Sequence, residues 1–470
     1  MGMKPQTIAL IAAGTAVSLG VGYLVYFDYK RRNDPQFRRK LKREQKKLAK
    51  EAKKAEEKAK LDIAELIKSV LDAASKEAYP KTPEEKEKYF MEQVALGEGL
   101  CAKGEQYYGQ ALLPFYKALK IYPAPLELIM IYQKTLPQTV FNLLINIMSL
   151  EQNKRQSEFY EQFPPKETHV KIGELPAGKT EDGTPIVRRG LVADEDIEEG
   201  QLIYVEPSFV SALHPELEGT FCNFCLKKVG EEENKVRCTN CDKVAFCSEK
   251  CKELADKDYH QFLCTNNTVD AESETKEKSF FQSALERNEK YPYMIARFLC
   301  AMVAEEKEKN KKEQEQDSSE PTKIHFGAWD HIDRFRYLDI KPNPEVLQET
   351  KSIAHLLGNK VPGVEDFLTD EIYLSLKGRL MYNCYAVVPT EPVQTRESSE
   401  KIRKTSAGEQ SSVGAALYKI STYVGHAKSE DEANTVLEFK EGDHHITATA
   451  IKKIEKGQEL LAVYDLPKPE

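Results

Sequence analysis

The sequence predicts a multidomain protein: an N-terminal transmembrane helix, then an all-α domain, then an α+β domain with a zinc-binding finger inserted in it. Three observations predict this. An uncharged stretch near the N-terminus has the length of a bilayer span. Apolar residues then recur at helical spacing up to Leu150. Seven of the ten cysteines crowd between Cys222 and Cys264. The 470 residues, at ~150 per domain, suggest about three domains. The 31% of charged residues exceeds the ~25% of ordinary globular chains, so part of the chain is solvated linker or exposed charged helix. A net charge of −8 argues against a protein built to wrap nucleic acid, and nine His exclude a His-rich metal protein.

Residues 1–29 read as a signal anchor. Thr7 to Phe27 carries no charge and matches the ~20 residues of a spanning helix. Lys30, Arg31 and Arg32 follow it and only Lys4 precedes it. The positive-inside rule then leaves the long C-terminal part in the cytosol. A cleaved signal peptide is the alternative, but its apolar core is shorter and its basic flank lies on the other side. Residues 30–60 hold 15 Lys/Arg against five Asp/Glu, which leaves −18 for the rest of the chain. This reads as a basic helical stalk at a membrane surface. Nucleic-acid binding is disfavoured because only Phe37 interrupts the charge with an aromatic ring.

Residues 61–150 predict four helices. In Glu84–Lys103, Phe90, Val94, Gly97 and Cys101 fall on one stripe. Thr82 is the expected N-cap, with Pro83 at the first helical position, Glu85 completing a capping box, and Gly104 closing the helix. The second helix holds Ala111, Phe115, Ala118 and Leu119, with a kink or late start expected at Pro114. Leu126–Leu136 and Val140–Leu150 follow.

The set Gly104, Ala111, Phe115, Ala118, Leu119, Pro123 resembles a tetratricopeptide (TPR) helix pair. More specifically, KYFMEQVALGEGL followed by ALLPFYKALKIYPAPLELIMIYQKTLPQTVFNLL resembles the twenty-kilodalton presequence receptors of the mitochondrial outer-membrane translocase, the TOM complex. Anchor, basic stalk and Tyr/Phe-rich first helix come in the same order. The resemblance implies an apolar groove for one face of an amphipathic presequence helix. Phe90, Met91, Val94, Ile121, Leu128, Ile131 and Tyr132 would line it, with Ala95 and Thr135 at its rim. Glu84, Glu85, Glu87, Glu92, Glu98 and Glu105 would suit a basic ligand. The bland reading is that this apolar stripe is core alone.

After a linker at 151–167, residues 168–470 form the predicted α+β domain. Its inserted finger spans 222–264. Cys222, Cys225, Cys238, Cys241, Cys247, Cys251, His260 and Cys264 supply eight soft ligands, enough for two tetrahedral structural zinc ions. Disulfides fit the cytosol poorly. The order resembles a MYND finger. That implies Cys222, Cys225, Cys247 and Cys251 on one zinc and Cys238, Cys241, His260 and Cys264 on the other.

Around the finger, strands are expected at Ile186–Val192 and Leu202–Val210, with a turn at Glu199-Gly200. A hairpin is expected in ANTVLEFKEGDHHITATA. Helices are expected near Phe280–Ala304 and Glu345–Leu357. The polar spacers Glu305–Lys323 and Glu391–Ser412 read as disordered. The arrangement resembles a SET domain split by a MYND finger, as in SET-MYND lysine methyltransferases. RRGL stands at the cofactor loop, LMYNCYAVV at an internal strand with Asn383, and GQELLAVY places Tyr464 at the catalytic tyrosine. Were the enzyme active, Gly190, His426 and Asn434 would bind S-adenosylmethionine. The motifs depart from the family, however. Arg188 replaces a loop glycine, Gly425 replaces an asparagine, Ala427 replaces a serine, and an acidic insertion runs Ser429–Glu432.

The expected function is a mitochondrial outer-membrane import receptor that recognises presequences and passes precursors to the TOM pore. It would cross the membrane once, with its N-terminus in the intermembrane space, and use a degenerate SET-MYND module as scaffold. Its partners would be presequences, other TOM subunits and the membrane, with no nucleic acid. The alternative is a membrane-tethered S-adenosylmethionine-dependent protein lysine methyltransferase.

Overall fold

The structure is a computed structural model that describes residues 35–80, 82–122, 125–180, 182–230, 235–241, 244–264, 280, 283–315, 326–358, 360–361, 363–396, 400, 402–405 and 412–465. The chain divides into two compact units, Met1–Ser157 and Glu158–Glu470. Among the described residues no helix is long and apolar enough to cross a membrane; the expected span Thr7–Phe27 lies outside them.

The first unit is helical: α1 (Pro35–Ser75), α2 (Pro83–Ala102), α3 (Tyr108–Ile121), α4 (Pro125–Thr135) and α5 (Gln138–Gln162). Sequence reasoning divides stalk from domain at residue 60, whereas α1 is one uninterrupted helix. Only its C-terminal part carries Ile67, Val70 and Ala74, which are buried. Glu77, just beyond α1, accepts from Tyr89 on α2 (2.7 Å) and Lys117 on α3 (2.7 Å), so three helices meet at one carboxylate. These bonds hold its pKa below the ordinary glutamate value. α2 starts as its cap residues predict, with Thr82 Oγ1 accepting from the Glu85 amide at 3.4 Å. α3 runs straight through Pro114, and α5 continues to Gln162, into the expected linker. The core gathers Leu112, Phe115, Tyr116, Leu144 and Ile147. Its closest approach is at Gly97, where a Cβ would lie 2.7 Å from the Phe115 ring. The same ring packs edge-on against Tyr132 of α4. Phe115 of α3 therefore touches both α2 and α4.

The second unit is α+β. β1 (Val170–Lys179) and β2 (Pro185–Ala193) pair antiparallel, as do β4 (Val210–Leu213), β8 (Gly414–Leu417) and β7 (Tyr385–Val387) in the order β4-β8-β7. β3 (Leu202–Glu206), β10 (Thr435–Glu438) and β11 (Ile446–Ala450) form a sheet ordered β10-β11-β3. Gly200 turns the chain into β3 with φ +81°, where a side chain would be strained. Short β9 (Gly425–His426) runs parallel to β12 (Leu461–Ala462). Within the finger, β5 (Val236–Arg237) pairs with β6 (Ala245–Phe246), and α6 (Glu249–Ala255) follows. Four more helices support the sheets: α7 (Tyr291–Glu315), α8 (Ala328–Ile332), α9 (Pro344–Gly358) and α11 (Asp370–Asn383), with the single turn α10 (Val364–Phe367) before the last.

Two expectations change here. Residues Glu305–Glu315, expected as disordered spacer, continue α7. LMYNCYAVV is half helix: Asn383 ends α11 and only Tyr385–Val387 is strand. The Asn383 amide caps this junction, donating to Arg336 O (2.7 Å) and Arg379 O (2.8 Å).

Candidate functional sites

On the first unit, the residues proposed for ligand contact divide by burial. Met91 (62% exposed) and Ile131 (49% exposed) present apolar side chains to solvent, as do Leu96 and Met130. Phe90, Val94 and Ile121 are half-buried, and Phe90 packs on Tyr122 at 4.9 Å between ring centroids. Leu128 and Tyr132 are buried and belong to the core. Ala95 and Thr135 are exposed, as are Glu84, Glu85, Glu87, Glu92, Glu98 and Glu105. The unit thus shows water an apolar set on α2 and α4 together with exposed acidic residues along α2.

In the finger the chain folds the eight predicted ligands into two groups: Cys222, Cys225, Cys247 and Cys251, and Cys238, Cys241, His260 and Cys264. Within each group the ligand atoms lie within 4.8 Å of one another. Cys225–Cys247 and Cys247–Cys251 are 3.5 Å apart, and Cys238–Cys264 and Cys241–His260 Nε2 are 3.7 Å apart. A zinc ion with ~2.3 Å bonds to sulfur spaces tetrahedral ligands by about 3.8 Å. A disulfide would need ~2.05 Å, and none of these cysteines forms one. The spacing fits a four-coordinate metal-ligand set with no position left for a substrate. Local sequence explains it. Ser248 caps α6 by accepting from the Cys251 amide (3.2 Å), and a π-helical turn, Asp256–His260, carries His260 round to Cys241. The finger is bolted to α7 by Arg297. This guanidinium donates to Ser211 O (2.6 Å), Asn223 O (3.0 Å) and Asn223 Oδ1 (2.8 Å), and it stacks on Tyr259.

In the second unit a cavity of about 460 Å³ opens between β2, the α8–α9 connection, the end of α11 and β9. Tyr464 and His426 line it, edge to face at 5.2 Å. The Tyr464 hydroxyl is buried and donates to Val424 O at 2.9 Å; burial raises its pKa. The buried Glu206 carboxylate accepts the Ile420 and Ser421 amides (2.7 and 2.9 Å), just before the lining residues Thr422–Val424 in the chain, and burial raises its pKa. Asn434 does not line the cavity. Its side chain joins strand backbones, donating to Glu459 O (2.9 Å) and accepting from the Leu461 amide (2.8 Å). Gly190 does not line it either, since the position of its missing Cβ is crowded by Leu175, Arg188 and Glu459.

Two departures noted in the sequence prove to be one device. Arg188 forks onto Glu459 with bonds of 2.6 and 2.7 Å, and the Glu459 carboxylate occupies the space that a side chain at position 425 would need, 2.4 Å from an added Cβ. Arg188, Glu459 and Gly425 therefore fit only together. Sequence reasoning missed Glu459, and it missed Arg403, whose guanidinium lies over the rings of Tyr382, Tyr385 and Tyr464 at 5.0–5.3 Å. The pairing of Arg188 with Glu459 spans 271 residues and leaves no local signal beyond complementary charge.

S-adenosylmethionine does not suit this cavity. It carries a sulfonium and an ammonium against one carboxylate, while Arg336 and Arg403 line the space with no carboxylate partner among the described residues. The Arg188–Glu459 pair also stands beside the loop glycine where a cofactor would approach.

Comparison with known proteins agrees with this division of the chain. A family described as MAS20 protein import receptor matches residues 10–161, and the SET domain family matches residues 188–465. The mitochondrial import receptor subunit tom20 of Neurospora crassa is 46% identical over 141 residues, 30% of this chain and 77% of the relative. The Saccharomyces cerevisiae subunit TOM20 is 36% identical over 149 residues, 30% of this chain and 78% of its own. The Danio rerio TOM20 homolog B is 36% identical over 137 residues, covering 29% and 80%. The chain belongs to the MAS20 protein import receptor family and carries, in the same polypeptide, a SET domain.

Proposed function

We propose that the protein is a mitochondrial outer-membrane import receptor. Its first unit recognises amphipathic presequences and hands precursors to the TOM translocase, and residues 1–29 anchor it with the bulk in the cytosol. The observation that carries this reading is the water-exposed apolar pair Met91 and Ile131 on two helices joined through Phe115. An amphipathic helix buries such anchors on its apolar face, and its basic face suits the exposed glutamates of α2. Two zinc ions hold a MYND-type finger that is structural, and the SET-MYND unit serves as a scaffold on the receptor. A lysine methyltransferase is disfavoured by the cavity, since Arg403 already lies against the face of Tyr464 and arginines repel a lysine side chain.

Fluorescence anisotropy with a labelled cationic presequence peptide tests the receptor reading on the full-length chain in detergent. Met91→Glu and Ile131→Glu should each weaken binding about tenfold or more, equivalent to ~1.4 kcal/mol, without moving the melting midpoint. Unchanged affinity in both variants would sink the proposed groove.

A further inference from the structure

The charge of the second unit's cavity has a consequence for what can occupy it. Three of its five arginines are neutralised: Arg188 by Glu459, Arg189 by Glu174 (2.7 Å), and Arg334 by Asp330 (3.5 Å). Two are not. Arg336 is exposed at the mouth and makes no side-chain ion pair among the described residues. Arg403 is 2% exposed, and its partners are the neutral acceptors Tyr382 O (2.8 Å), Tyr385 Oη (3.3 Å) and Asn383 Oδ1 (3.3 Å). The tyrosine faces around it offset part of the desolvation of its guanidinium, but they supply no counter-charge. A buried cation with no carboxylate partner among the described residues, next to a cavity of metabolite size, is a charge that a ligand is suited to neutralise.

We infer that this cavity binds a compact, multiply charged phosphate-bearing anion, held by Arg336 at the mouth and Arg403 at the base in place of the family's sulfonium cofactor. Guanidinium forks match phosphate oxygens in geometry as well as charge. Tyr382 and His426 on the wall add ring faces for a base, so the ligand class includes nucleoside polyphosphates as well as inorganic chains. The inference concerns the second unit alone and stands apart from presequence recognition.

The test is isothermal titration calorimetry of the full-length, zinc-loaded chain in detergent with tripolyphosphate, with ATP, and with S-adenosylmethionine. Micromolar binding of ATP or tripolyphosphate is expected, with a raised melting midpoint and no binding of S-adenosylmethionine. Arg336→Glu, at an exposed position, should weaken anion binding tenfold or more and leave zinc content and presequence affinity unchanged. Tighter binding of ATP than of tripolyphosphate assigns a role to the base; equal binding assigns recognition to phosphate alone. Anion binding that Arg336→Glu leaves intact would be binding to the basic stalk and would overturn the proposal. So would no binding of either anion at millimolar concentration, or preferential binding of S-adenosylmethionine.

Discussion

Arg297→Met tests whether the finger is held as a rigid part of the second unit. The substitution keeps the apolar stem and removes the guanidinium. Three hydrogen bonds of 2.6–3.0 Å and the stack on Tyr259 at 4.4 Å are lost. Asn223 O keeps one partner, the Tyr259 hydroxyl at 2.8 Å, whereas Asn223 Oδ1 retains only a 3.2 Å contact with that hydroxyl. Charge-assisted bonds contribute about 1.5–3 kcal/mol each, but burying the cation costs part of that. Every acceptor left behind is a neutral oxygen, and leaving such buried groups unpaired costs about 1–3 kcal/mol. Cys222 precedes Asn223 and Cys225 lies two residues after it, so the loss falls on the candidate metal-binding loop. Zinc release to a chromogenic chelator should then quicken by about one to two orders of magnitude, at ~1.4 kcal/mol per decade. The wild type should release two zinc ions per chain. Release within about threefold of the wild-type rate would refute the idea that α7 holds the finger in place.

Two glycines on α2 should respond oppositely. Gly97→Val drives a branched side chain into the Phe115 ring and should cost about 1–3 kcal/mol, read as a lower melting midpoint of the first unit. Gly99→Ala meets nothing within 4 Å and should stabilise the helix by about 0.5–1 kcal/mol. The same sign for both would refute the packing. His214 should make stability pH-dependent. Burial, with Lys290 nearby, pushes its pKa down to about 3 from an unfolded value near 6.5. The unfolded chain therefore binds a proton below pH 6.5 that the folded chain refuses, so stability is full above 6.5 and falls as pH drops. At pH 5 the loss is about 2 kcal/mol, and His214→Gln should remove that share of the denaturation-midpoint shift between pH 7.5 and 5. Identical pH profiles for the two proteins would count against it.

Features set by neighbours in the chain were legible in advance. Thr82-Pro83 starts α2, Gly104 ends it, and the 2–3-residue spacings of cysteine pairs mark candidate metal-ligand groups, because caps and knuckles are built from nearby residues. The strands around Gly200 were legible for the same reason. The errors arose where context overrides local composition. Glu305–Glu315 is polar enough to read as a spacer, yet it extends a helix whose first turns are buried. Pro114 sits within α3 rather than at a late start, because the buried face of that helix outweighs one missing backbone donor.

The sequence by itself determined the order of the units, the family of the first, the two candidate metal-ligand sets, and the unusual residues Arg188 and Gly425. Only the tertiary structure decided which of the apolar residues on α2 and α4 face water. It also decided that the eroded motif is refilled by Glu459 and crowned by Arg403. The physical reason is range. Capping, spacing and ligand type act over a few residues, whereas charge compensation and burial join side chains hundreds of positions apart, and their energies exist only once the chain has closed around them.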